Sequence, residues 1–238
     1  MNWWKILKGK VRLGEPLSRH TTFKIGGKAR FFLEPRDIAD LKLSLALLKK
    51  YKIPYFVMGA GSNILVSDKG LKAAVVSLRA PSFSKIEFGK GYMKVGCGVL
   101  LSRALAHAVK KGFSGPEFLA GIPGTVGGAL LMNAGVTHPG CSIADLIEAV
   151  TVLAPSGRIK TLRSKDLKFS YRHSNLSRYI ILSARLRMHK ARPQAIRNKI
   201  KEYLEYRRRT QEVSWPSAGC VFKNPRGDSA GRLIDLCA

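Results

Sequence analysis

The chain has 238 residues, 45% of them hydrophobic and 24% charged, with 42 Lys and Arg against 15 Asp and Glu, a formal net charge of +27. That apolar fraction fills a core and excludes a wholly disordered chain, and the length suits one large domain or two modest ones. No run of about 18 apolar residues occurs, and the basic stretch Met1–Arg12 lacks an apolar segment behind it, so neither a membrane span nor a secretory leader is expected and the chain reads as cytoplasmic.

Taken in chain order, Ile38, Leu41, Leu45 and Leu48 recur at steps of three and four and predict a helix over 35–51, capped by Asp37 and closed by Lys49 and Lys50. The IPYFVMG that follows predicts a buried strand. AAVVSL at 73–78 and the alternating YMKVGCG at 92–98 predict further strands, and between 100 and 112 Leu101, Leu105 and Val109 share one face of a second helix. IEAVTVLAP, a turn at Ser156–Gly157 and RIKTL form a hairpin, and YIILSARLRM adds a strand, so the middle of the chain is rich in sheet. Pro193 opens a long helix carrying Ile196, Ile200, Tyr203 and Leu204 and ending in Arg207, Arg208 and Arg209, where positive charge suits a helix C-terminus. An irregular Gly/Pro-rich stretch leads to AGRLIDLC, a short helix capped by Asp228 or Ser229.

Cys97, Cys141, Cys220 and Cys237 form no CxxC pair and have no His at zinc-finger spacing, so they read as free thiols and no metal site is expected. The charge attracts nucleic acid, an anionic membrane or a phosphorylated small molecule alike and does not choose among them. Two segments concentrate small residues: Gly59-Ala60-Gly61-Ser62-Asn63, and Gly121-Ile122-Pro123-Gly124-Thr125-Val126-Gly127-Gly128. Glycine permits positive φ and close approach, so successive amides in such loops can converge on an anion such as a pyrophosphate. Neither has GxGxxG spacing or a following Lys-Ser or Lys-Thr, which argues against a common dinucleotide fold and a P-loop. Each loop alone reads as a tight turn.

GAGSNILV, GIPGTVGGALLMNAG, FSYRHSNL and PSAGCVFKNP occur in that order, after an early TTFKIGGKARFFLEP. The series, spread from about Leu17 to Leu236, resembles the UDP-N-acetylenolpyruvoylglucosamine reductase family. The resemblance implies an α+β chain: a two-subdomain FAD-binding module of the vanillyl-alcohol-oxidase kind (1–80 and 81–189), then a truncated α+β substrate-binding domain (190–238). It implies FAD as cofactor, NADPH as co-substrate, reduction of UDP-N-acetylenolpyruvoylglucosamine to UDP-N-acetylmuramate in peptidoglycan synthesis, and no specific nucleic acid; a monomer is expected. Gly59, Gly61, Ser62 and Asn63 carry over to a first FAD loop and Gly121, Pro123, Gly124, Thr125, Gly127 and Gly128 to a second, with Asn133, Ala134 and Gly135 near the flavin.

Hydride addition to an enol-pyruvyl double bond builds negative charge beside a carboxylate, so the chemistry asks for a cation there and an acid to protonate the neighbouring carbon. By resemblance Arg172, in Tyr171-Arg172-His173-Ser174, is the cation. Cys220 stands where the family usually has a proton-donating serine, and a thiol with a reference pKa of about 8.5 is itself a competent acid. Tyr171 reads equally as a substrate donor and as core packing, Lys223 and Asn224 as substrate contacts, and His173 as a surface histidine. One of Arg207 to Arg209 is a candidate contact to the UDP diphosphate. Where the family continues with Tyr-Gly and an acidic residue after Asn133-Ala134-Gly135, this chain reads Val136-Thr137-His138-Pro139-Gly140-Cys141. Glu212 and Asp235 do not replace the family's C-terminal glutamate, so the rival expectations are a degenerate FAD-binding protein without reductase activity and a basic nucleic-acid binder.

Overall fold

The computed structural model describes residues 2–136, 140–212, 214–225 and 227–237; Thr137, His138 and Pro139 of the divergent stretch lie outside them. Two sheets share one core. The first is a mixed four-stranded sheet of β1 (Lys10–Pro16), β2 (Lys28–Glu34), β3 (Tyr55–Met58) and β4 (Leu71–Ser77), with helix α1 (Ile38–Lys50) between β2 and β3; its spatial order is β1-β2-β4-β3. β1 runs antiparallel to β2, while β2 and β3 both run parallel to β4. Alternation along the strands divides the side chains. Phe31, Leu33, Ala74 and Val76 face the main core, and Ala29, Phe32 and Val75 pack on the other side against Leu17, Met58 and Val66.

Asp37 caps α1 as the sequence predicts, accepting from the Asp40 amide. Asp40 is itself buried and its carboxylate accepts from the amides of Lys8, Gly9 and Arg36, which pins the start of β1 to the helix. The expectation for IPYFVMG is corrected: β3 is an edge strand, and Tyr55 and Phe56 are 47% and 46% exposed. A strand with a neighbour on one side only leaves part of an apolar run uncovered, whereas the AAVV of β4, between β2 and β3, is covered on both faces. β1 and β2 have no counterpart in the sequence reading.

The second sheet is antiparallel throughout: β5 (Ile86–Gly89), β6 (Tyr92–Gly96), β7 (Ile147–Leu153), β8 (Ile159–Arg163) and β9 (Ile180–Arg187), in spatial order β8-β7-β9-β6-β5. The predicted hairpin is β7–β8, turned by Gly157 at φ +77°. Helix α2 (Leu101–Lys111) ends on Gly112 in the left-handed conformation, and the short α3 (Val126–Leu131) follows the second glycine loop. One apolar cluster runs from Trp3 and Phe31 through Val95 and Leu130 to Leu186 and Met188, welding the two sheets together.

Helix α4 (Pro193–Thr210) begins with Pro at its first turn, buries Ile196, and packs on α2 and on the turn Glu117–Leu119 just before the second loop. Helix α5 (Ala230–Asp235) is capped by Ser229. From α4 onward no strand occurs among the described residues; 211–212 and 214–225, broken by Pro216, Gly219 and Pro225, run largely exposed over the surface. No helix among the described residues is long and apolar enough to cross a membrane.

Candidate active site

The first loop leaves the C-terminal end of β3 and meets the second head-on. The Ser62 hydroxyl donates to the Pro123 carbonyl at 2.9 Å, and a Cβ added to Gly59 would lie 2.4 Å from Thr125 Oγ1. Gly61 has φ +66°, and a Cβ there would fall 2.1 Å from the His20 carbonyl oxygen. Thr125 caps α3, accepting from the Gly128 amide at 3.4 Å. The expectation that the second loop's successive amides converge on an anion is corrected in part. Val126 donates to Val99, Gly127 to Cys97 and Gly128 to Thr125, because the loop is clamped onto the strip 97–99. The amides of Gly61, Ser62, Asn63, Gly121, Gly124 and Thr125 donate to nothing among the described residues, so free amides remain in both loops.

Asn133 adopts φ +46°, its Nδ2 donates to the Ser170 carbonyl at 3.1 Å, and its Oδ1 is buried without a partner. Arg172 holds φ +57°, a region that costs a non-glycine residue about 1–3 kcal/mol and collects at functional sites. Its guanidinium lies 5.5 Å from the Tyr171 ring centroid. Tyr171 is 51% exposed, which removes the core-packing reading, and its hydroxyl accepts from the Asn224 amide at 3.4 Å. The Asn224 Oδ1 is committed to the Ala230 amide, Lys223 is exposed with no hydrogen bond or ion pair among the described residues, and His173 is exposed.

Cys220 sits on an exposed segment tethered at both ends: the Thr22 hydroxyl donates to the Ser217 carbonyl at 2.7 Å, and Asn224 is held by Tyr171. Gly219 approaches Asn63, with 3.5 Å between an added Cβ and Asn63 Oδ1. Thr22, which also bonds to Gly61 through its amide, escaped the sequence reading; the only signal was its place in TTFKIGG. Of the three arginines that the sequence offers for the UDP diphosphate, Arg207 is the one that reaches the second loop. Its stem crosses Gly121, and its guanidinium interacts electrostatically with both Cys220 and Arg172. Burial lowers its pKa from the ordinary arginine value; Arg172 adds to that and Cys220 opposes it. Cys97, buried behind Gly127, has its thiol pushed up to about 12 by burial and is no acid for this site. No cluster of His, Cys, Asp or Glu able to hold a metal occurs among the described residues.

Two glycine loops are joined through Ser62 and Pro123, and amides in both remain free of partners among the described residues. Residues 29–163 match the family described as "FAD binding domain", which defines the class: a flavoprotein-type FAD-binding fold. The chain is 43% identical over 230 residues to UDP-N-acetylenolpyruvoylglucosamine reductase of Moorella thermoacetica, covering 96% of itself and 75% of that protein. It is 40% identical over 234 residues to the enzyme of that name from Desulforamulus reducens, covering 98% and 76%. The crystal structure of UDP-N-acetylenolpyruvylglucosamine reductase from Thermus caldophilus superposes with TM-score 0.82 at 35% identity, over 97% of this chain and 80% of that one. The chain belongs to the UDP-N-acetylenolpyruvoylglucosamine reductase family.

Proposed function

We propose that this chain binds FAD between the loops 59–63 and 121–128 and uses NADPH to reduce UDP-N-acetylenolpyruvoylglucosamine to UDP-N-acetylmuramate, a cytoplasmic step of peptidoglycan precursor synthesis. The observation that supports the reading is the contact of the two loops through Ser62 and Pro123, with the Cys220 segment tethered beside them by Thr22, whose amide binds Gly61. FAD, when bound, supplies the relay that takes a hydride from NADPH and makes it available to the enol-pyruvyl carbon. The uncommitted amides of Gly61, Ser62, Asn63, Gly124 and Thr125 would hold its pyrophosphate, and the orphaned Oδ1 of Asn133 marks the neighbourhood of its ring. Gly59 lets the two loops close, Gly127 lets the second pack on Cys97, Gly128 donates its amide to Thr125, and Pro123 accepts the Ser62 hydroxyl that joins the loops.

The Arg172 guanidinium stabilises the negative charge that builds on the carboxylate side of the double bond, where removal of such a donor typically lowers kcat by roughly 10²–10³. The Cys220 thiol gives its proton to the adjacent carbon; being exposed, the thiolate recovers a proton from water. Tyr171, Asn224 and Lys223 flank this point as substrate contacts. The division into 1–80, 81–189 and 190–238 is proposed as the subdomain plan, supported by one sheet built from 10–77 and another from 86–187.

The purified chain is expected to carry a flavin absorbance band and to oxidise NADPH only when the enolpyruvyl nucleotide is present. Correctly folded protein that stays colourless with added FAD contradicts the cofactor assignment; bound FAD without nucleotide-dependent NADPH oxidation contradicts the reaction.

A further inference from the structure

Arg207, Arg208 and Arg209 all lie at the end of α4, where any of them complements the helix dipole, yet only Arg207 is turned inward: it is half-buried and its two neighbours are exposed. Its stem passes so close to the second loop that a Cβ on Gly121 would meet its Cδ at 2.9 Å and its Nε at 3.1 Å. Gly121 is thus glycine for two reasons, its φ of +73° and the passage of this side chain.

The inward turn is unfavourable as it stands. Arg207 loses water, feels the charge of Arg172, and meets no carboxylate among the described residues. Many cations of this chain lack an acid, but most are exposed and water solvates them; a half-buried guanidinium set against another cation has no such relief. The neighbouring arrangement that would offset this is an oxyanion held by both groups. Cys220 offsets part of that cost electrostatically, and the passage over Gly121 keeps the guanidinium beside the second loop.

Resting on the assignment of Arg172 and Cys220 above, we infer that Arg207 is a second substrate-binding arginine, which joins Arg172 on the carboxylate next to the carbon that Cys220 protonates. A planar guanidinium fork matches a carboxylate through two parallel hydrogen bonds, and a pair of forks fixes the plane of that carboxylate relative to the double bond. Arg207 would therefore select for nucleotides carrying the enol-pyruvyl group against the same sugar nucleotide without it.

The test uses the full chain loaded with FAD and reads ligand binding from the perturbation of the flavin spectrum, with UDP-N-acetylenolpyruvoylglucosamine and UDP-N-acetylglucosamine as the two probes. Arg207→Gln is expected to weaken the first by about 10- to 100-fold, the loss of a charged hydrogen-bond partner, and to leave the second and the flavin content unchanged. Arg208→Gln should change neither. Equal weakening of both probes would assign Arg207 to the diphosphate, and no weakening would make it a helix-end charge; either overturns the inference. If Arg207→Gln does not retain FAD, Arg207→Lys keeps the stem over Gly121 and the same comparison is read there, with a selective loss for the enolpyruvyl nucleotide expected. Failure of the underlying reading looks different: the unsubstituted protein itself would then bind the two nucleotides alike and show no nucleotide-dependent reoxidation of its flavin.

Discussion

Two glycines with nearly the same backbone conformation separate the role of the first loop from generic turn strain. Gly61 has φ +66° and Gly157 has φ +77°. Forcing an alanine into either conformation costs about 1–2 kcal/mol. At Gly157 a Cβ meets nothing within 4 Å, so that is the whole effect. At Gly61 the Cβ would lie 2.1 Å from the His20 carbonyl oxygen and 2.9 Å from Thr21 Cα, both backbone atoms, so relief requires moving 20–22 as a unit. Overpacking of that kind adds about 1–3 kcal/mol, giving roughly 2–5 kcal/mol in all for Gly61→Ala. The displaced segment carries Thr22, whose amide binds Gly61 and whose hydroxyl holds Ser217, so the change also disturbs the loop's free amides and the Cys220 segment. Denaturant unfolding of the two variants, with FAD titration of each, reads both consequences. Gly157→Ala should lose only the smaller stability increment and bind FAD normally, while Gly61→Ala should lose more and bind FAD at least tenfold more weakly. Equal stability losses with FAD affinity unchanged in both would refute the reasoning.

Thr22→Val keeps the shape of the tether and removes its donor; FAD affinity should hold while the rate of nucleotide-dependent flavin reoxidation falls several-fold, and an unchanged rate would show that Ser217 does not need the bond. The Cys97 thiol, at about 12, should resist aromatic disulfide reagents at pH 8 until the protein unfolds, whereas exposed Cys220 and Cys237 react at once; prompt modification of Cys97 in native protein contradicts its burial. The hydrogen bond from His20, and then the charge of Arg12, hold the Glu15 carboxyl below its ordinary 4.5 against the opposing effect of burial. A carboxylate depressed in the folded state stabilises above its unfolded pKa and loses that contribution as pH falls through the folded one. Wild type should therefore exceed Glu15→Gln in stability at pH 6–7 and converge with it well below 4.5, as urea unfolding across that range would show; a gap independent of pH is the contrary result.

The elements legible in the sequence are those whose periodicity is local. α1, α2, α4 and the β7–β8 hairpin announce themselves through apolar spacing, an Asp37 cap, a Pro193 start and a Ser156–Gly157 turn, and each appears within a few residues of its predicted place. β1 was hidden because KVRLGEP alternates poorly and owes its position to pairing with β2 and to the Asp40 carboxylate, a contact more than thirty residues away in sequence. β3 was misjudged in burial because sheet order, which puts Tyr55 and Phe56 at an edge, is not written in the strand itself. At the site, the two glycine loops meet through Ser62 and Pro123 and through Gly59 and Thr125, whereas Tyr171, Arg172 and Cys220 were legible only through the family resemblance. Arg207 was legible only as one of three candidate arginines, each with a sufficient electrostatic reason to sit at a helix end; only the packing on Gly121 singles it out.

Arg172 and Cys220 are proposed to act on a reducible substrate held against a flavin. Anaerobic stopped-flow of the FAD-loaded chain tests this most directly: reduction by NADPH is followed first, then reoxidation on mixing with UDP-N-acetylenolpyruvoylglucosamine. Cys220→Ala should leave flavin reduction intact and slow the reoxidation by about 10²-fold or more, the typical scale of a general acid, with Cys220→Ser restoring part of the rate. Equal reoxidation rates in wild type, Cys220→Ala and Cys220→Ser would contradict the assignment, and a reduced flavin that the nucleotide never reoxidises would contradict the proposed reaction itself.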